Sequence, residues 1–130
     1  MKAFREAVEA RDSAAIEALL AENVVFTSPV AFKPYPGKAV TAAILRAVLR
    51  VFEDFRYVKE LSAAGERDHA LVFEATVGGK ALTGCDFLHL DENGLIDEFT
   101  VMVRPLSAAQ ALAEAMNAQF PRIQAEAAQG

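Results

Sequence analysis

From residue 56 to residue 103 the sequence reads as strands separated by tight turns, and this constrains the fold more than any other feature. Residues 56–61, 69–77, 80–90 and 95–103 each alternate with a period of two. Gly78-Gly79 and Asn93-Gly94 separate successive runs with the residues that hairpin turns favour. Connections this short join antiparallel neighbours, so the segment predicts a meander. Leu71, Phe73, Ala75 and Val77 then fall on one face, and Val72, Glu74 and Thr76 on the other.

The first half has a different period. Phe4, Ala7 and Val8 share a face at helical spacing. Asp12 or Ser13 is placed to cap a second short helix with Ile16, Leu19 and Leu20 on its apolar side. Residues 24–27 are β-branched and aromatic and predict a strand that Pro29 ends. Pro34, Pro36 and Gly37 mark an irregular loop. A helix is expected over 38–52, burying Thr41, Ile44, Leu45, Val48 and Phe52. After Pro105, Ser107-Ala108-Ala109-Gln110 reads as a capping box opening a last helix, with Leu112, Met116 and Phe120 as its stripe. Pro121 is expected to end it, leaving 124–130 as a flexible tail and 1–123 as one domain.

Helices first and then a curled sheet predict the α+β class: a cone-shaped antiparallel sheet with N-terminal helices on its concave face, plus a C-terminal helix. The interior of such a cone is apolar and open at one end, where a ligand would go.

Composition narrows the partners. The net charge is −5 and the basic residues are scattered, which argues against nucleic acid. No stretch approaches the ~18 apolar residues of a membrane span, and the charged start has no signal-peptide core. A cytoplasmic location and no membrane partner are expected. Cys85 is the only cysteine, so no internal disulfide or thiolate cluster forms. His69 and His89 lack a second ligand at metal spacing, so neither metal nor organic cofactor is expected.

The best chemical lead is Asp86, in the apolar run Gly84-Cys85-Asp86-Phe87-Leu88-His89-Leu90. Asp86, Leu88 and Leu90 share one side; Cys85, Phe87 and His89 share the other. Both sides carry bulky apolar groups, so the carboxyl must be paired, protonated or functional. It is either a hydrogen-bonding acid in an apolar pocket, or the partner of an arginine such as Arg104, or an acid at a solvated mouth. Ser28 is a pocket polar group or a turn cap before Pro29.

The run 19–26, the segment Ser28-Pro29-Val30 with Pro36-Gly37 leading into a helix, and Asp86 to Leu90 through Asn93-Gly94-Leu95-Ile96 resemble segments of a known family. It is the ketosteroid isomerase and SnoaL-like branch of the nuclear transport factor 2-like superfamily, and the resemblance covers about residues 2 to 104. In those isomerases a carboxylate base moves a proton, while a tyrosine and a protonated aspartic acid hold the enolate oxygen. The handed-over positions are Asp86 for the protonated acid, Ser28 for the base, Phe4 for the tyrosine and Leu45 for a second pocket tyrosine. Only Asp86 keeps its polar group. The acidic residue of the cyclases falls on Val101.

The resemblance implies a pocket for a small apolar molecule, lined by Phe4, Val8, Phe26, Phe73, Phe99, Val101 and Val103, with Asp86 and Ser28 as polar contacts. Asp86 would be the acid or hydrogen-bond donor of an isomerase-like or cyclase-like enzyme. The alternative is a non-catalytic binding module. Val72, Phe87 and Met102, with Cys85 nearby, point away from the pocket face and are expected to form a homodimer through the outer sheet face.

Overall fold

Gly78 and Gly79 both have positive φ, +55° and +78°, and they turn the chain from Val77 directly into its partner Lys80. Asp12 caps the second helix by accepting from the Ala15 amide at 3.1 Å. Around these devices the computed structural model, which describes residues 1–130, arranges four helices and six strands. In chain order they are α1 (Lys2–Glu9), α2 (Ser13–Ala18), β1 (Leu20–Thr27), β2 (Tyr35–Pro36) and α3 (Lys38–Val51). Then come β3 (Glu53–Ser62), β4 (Asp68–Val77), β5 (Lys80–Leu90), β6 (Ile96–Arg104) and α4 (Leu106–Gln129).

The sheet order is β2-β1-β6-β5-β4-β3. Strands β3 to β6 form the expected antiparallel meander. Strand β1 lies parallel to β6, and the two-residue β2 pairs at the edge of β1, within what the sequence reads as an irregular loop. The sheet is curled and open. Its inner face carries Leu71, Phe73, Ala75 and Val77 of β4, all buried in one core with residues of α1, α3 and α4. Phe99 holds this core together, meeting Phe4 of α1 and Phe26 of β1 edge-on at 5.4 and 5.3 Å between ring centres. No helix is long and apolar enough to cross a membrane.

Three boundaries differ from the sequence reading. Leu20 opens β1 instead of closing α2, because it pairs with Ile96 of β6. Helix α4 begins at Leu106, so Ser107 lies inside its first turn and cannot act as the cap; Pro105, extended, takes that position without a side-chain bond. Pro121 does not end α4, and 124–130 is no tail, since the helix runs to Gln129. Tertiary contacts outweigh the proline penalty there. Ile123 is 1% exposed, and the Glu126 carboxylate draws in Arg46 (3.6 Å), Arg50 (3.7 Å) and Arg122 (3.7 Å). The last helix therefore docks on α3 of its own chain.

Candidate functional site

Strand alternation turns Asp86 inward between Leu71 of β4 and Val101 of β6. It is 6% exposed, and no lysine or arginine pairs with its carboxyl. Arg104, the cation considered from sequence, lies at the end of β6 opposite Thr83. The partner of Asp86 is instead Tyr57 of β3, whose hydroxyl donates to Asp86 Oδ2 at 2.6 Å in a buried environment. That length belongs to the strong end of hydrogen bonding. The other oxygen, Oδ1, has no partner in the chain.

Burial dominates the electrostatics. Loss of water raises the Asp86 pKa to about 7, and the Tyr57 hydrogen bond works against that rise. Tyr57 is itself pushed well above the usual phenol value, first by burial and then by the Asp86 charge. At neutral pH the acid can therefore exist in both forms. Neutral, it still accepts from Tyr57 on Oδ2 and has a proton to donate from Oδ1.

Tyr57 was not a candidate in the sequence, and the local irregularity of β3 explains why. The β3–β4 register slips on both sides of Tyr57, between Glu53 and Arg56 and again between Tyr57 and Lys59. A strict two-residue period would carry Lys59 and Leu61 inward with Tyr57, but both are exposed and only Tyr57 is buried. Its ring is then boxed in: Phe55 meets it edge-on at 5.0 Å, and Phe73 lies at 6.3 Å. Gly84 makes this box possible. A β-carbon there would sit 2.2 Å from Phe73 Cζ, so only glycine lets the Phe73 ring lie across β5. The usable signal in the sequence was an unassigned tyrosine on a strand neighbouring an aromatic-rich one.

Asp86 and Tyr57 stand in the wall of a cavity of ≈130 Å³. That is roughly ten times the space one water needs, too much for a packing defect. Among the residues expected to line a pocket, Phe4, Val8, Phe26, Ser28, Phe73, Phe99 and Val101 border this space together with Asp86. Val103 does not. It faces Gly84, where the Phe73 ring fills the volume above the strand, and packs on the core instead. Leu45, which the resemblance pairs with a tyrosine, also borders the cavity, as do Leu112 and Met116 of α4. Ser28 spends its hydroxyl locally, accepting from the Val30 amide at 3.1 Å. Glu9 and Arg11, at the end of α1 and the turn after it, bring charge to the wall; the Arg11 guanidinium donates to the Leu49 carbonyl.

The histidines lie elsewhere. His69 bonds Ser62 and the Glu66 carbonyl, both at 2.8 Å. His89, read from sequence as lacking a ligand partner, meets Asp97 at 2.6 Å and Glu98 at 3.7 Å across β6. These three groups could share an ion, but they stand away from the cavity with no unpaired buried group beside them. On the same outer side of the sheet, Phe87 is 42% and Met102 59% exposed.

A curled, open sheet with helices packed around an apolar cavity defines an α+β domain of the cone type. The chain belongs to the SnoaL-like domain family of the nuclear transport factor 2-like superfamily, whose profile matches residues 1–99. It is 42% identical to a steroid delta-isomerase from Pseudomonas aeruginosa, with a TM-score of 0.88 over 94% of this chain and 89% of that one. It is 36% identical to an uncharacterized protein with a cystatin-like fold from Silicibacter pomeroyi DSS-3, with a TM-score of 0.85 over 96% and 92% of the two chains. An NTF2-like protein from Cytophaga hutchinsonii ATCC 33406, 22% identical with a TM-score of 0.62 over 80% and 86%, shares the fold. No match is found among the curated proteins.

Proposed function

We propose that this protein binds a small apolar molecule through a carbonyl or hydroxyl oxygen, with neutral Asp86 as hydrogen-bond donor, in the manner of a ketosteroid isomerase-like or polyketide cyclase-like enzyme. The observation that carries this reading is the Asp86–Tyr57 bond of 2.6 Å in the wall of a mostly apolar cavity, with no cation paired to Asp86. Tyr57 fixes one carboxyl oxygen and leaves the other without a protein partner. A ligand oxygen satisfies that group, whereas a hydrocarbon leaves it unpaired, at about 1–3 kcal/mol for a buried polar group. The likeness to a steroid delta-isomerase at 42% identity supports an apolar ketone as the ligand type.

The second reading is a binding module without chemistry. It is favoured by Ser28 and Phe4, which bring neither a base nor a phenol to the places where the isomerases have them. For assembly, the exposed Phe87 and Met102 beside Cys85 support a homodimer through the outer sheet face.

The test compares 2-decalone, a bicyclic ketone, with decalin, its hydrocarbon frame, by ligand-induced thermal shift and calorimetry. The ketone is expected to bind at least tenfold more tightly, which is about 1.4 kcal/mol. Asp86→Ala removes that preference. Equal binding of the two, or an unchanged preference in Asp86→Ala, refutes the reading.

A further inference from the structure

The cavity, at ≈130 Å³, offers roughly ten times the space one water needs. A ring carbon takes about the room of one water, so the space holds on the order of ten ligand heavy atoms. That is a ketone of one or two rings. Four fused rings need about twice as much. The last helix supplies part of this limit. Leu112 and Met116 of α4 border the cavity one helical turn apart. Leu112 is buried, and Met116 is half-buried against the core. The helix is pinned on both sides of this pair. Ala108, before it, is fully buried. Beyond it, Gln119 accepts from Arg50 Nε at 2.9 Å, the Phe120 ring lies 6.3 Å from that of Tyr35, and Ile123 is buried. Swinging α4 away from the cavity would break all of these contacts, so the helix is a fixed wall. The rings of Phe4, Phe26 and Phe99 are also wall groups, but they pack on one another and hold the core. Met116 lies outside the fully buried set, so shortening it alters the cavity more than the fold.

We infer that α4 sets the size of the ligand: Leu112 and Met116 close the cavity to four fused rings and leave room for a ketone of one or two. This rests on the reading of the cavity as a ketone site. It narrows that reading to a class smaller than the steroid for which the related Pseudomonas aeruginosa isomerase is named. The expected order of affinities is the reverse of the hydrophobic one. Were space not limiting, each added ring would bury more apolar surface and bind more tightly. A fixed wall reverses that order. A close-packed interior takes extra carbons only by forcing side chains off their rotamers or by moving backbone. Shortening a wall side chain removes that cost for the larger ligand. The smaller ligand already fits, so it gains no room and loses some contact.

The experiment compares trans-2-decalone with 5α-androstan-3-one by calorimetry and thermal shift in the same co-solvent. The two carry the same carbonyl on the same pair of fused rings, and the steroid adds two further rings and two methyl groups. The wild-type protein is expected to bind the decalone at least about tenfold more tightly, the scale of an overpacked interior. Met116→Ala should raise steroid affinity by about tenfold or more and change decalone affinity by less than about threefold. Leu112→Ala should act in the same direction with a lower melting temperature. Met116→Val, a smaller truncation, guards against loss of folding and should move the preference part of the way. Met116→Leu, nearly equal in volume, should keep the wild-type preference. A steroid that binds the wild-type protein as tightly as the decalone overturns the size limit. A preference for the decalone that survives both Met116→Ala and Leu112→Ala overturns the role of α4. Failure of the ketone reading shows differently, as equal binding of decalone and decalin. Absence of binding by either ketone overturns both readings.

Discussion

Replacing Asp86 by asparagine should abolish a specific dependence of stability on pH. Burial raises the Asp86 pKa from 3.8 to about 7. Between those values the folded protein keeps a proton that the unfolded chain has released. Unfolding then releases a proton, so stability is full below the unfolded pKa and falls as pH rises towards the folded one. Each unit of difference corresponds to 1.36 kcal/mol, so the full effect is about 4 kcal/mol. Most of it lies between pH 4.5 and 7.5, where the expected loss is about 3 kcal/mol. Asparagine is shaped like the neutral acid. Its carbonyl can accept from Tyr57 while its amide takes the place of the acid's own donor. Urea unfolding of both proteins from pH 4.5 to 8.5, taken as a difference, cancels the other titrating groups, including Glu60, whose lowered pKa works in the opposite sense. The wild-type protein should lose about 3 kcal/mol relative to Asp86→Asn across that range. A difference that stays flat, or that grows in favour of wild type as pH rises, refutes the neutral-acid reasoning.

Three further outcomes follow from packing. Gly84→Ala places a β-carbon 2.2 Å from the Phe73 ring and should cost about 1–3 kcal/mol as an overpacked core; Phe73→Leu in the same chain should relieve part of that cost, and simple additivity in the double-mutant cycle would argue against the contact. Ile123→Ala, beyond Pro121, should cost about 2–4 kcal/mol by urea unfolding if the end of α4 is docked, and a loss below about 0.5 kcal/mol would mean it is not. Phe87→Glu should convert a dimer to monomers in sedimentation at tens of micromolar, on the order of ordinary protein interfaces, with the melting transition still cooperative; a wild-type protein that sediments as a monomer would contradict the proposed face.

Much of the architecture was legible because it rests on local signals. The glycine pair at 78–79 and the alternation of β4 and β5 determine which residues face inward, and Asp86 is among them. Two kinds of feature were not legible. Where tertiary packing overrides a local signal, as at Pro121 within α4, propensity points the wrong way. Where a strand is irregular, as in β3, alternation misassigns neighbours and hides Tyr57. The site shows the same division. Asp86 stands out as an acid in an apolar strand, whereas its partner lies two strands away and is aimed by a register slip. Val103 shows the limit in the other direction: it has the right face but lies above a glycine whose empty place is taken by a ring.

The central claim is that Asp86 is a carboxylic acid held near neutrality by an apolar cavity and steadied by Tyr57. The most direct measurement is the carbon-13 shift of the Asp86 carboxyl followed across pH, assigned by its loss in Asp86→Asn. The midpoint should lie at about 7 in the wild-type protein, and higher in Tyr57→Phe, because the hydrogen bond from Tyr57 is what pulls it down. A midpoint at or below the ordinary aspartate value of about 3.9 would contradict the account.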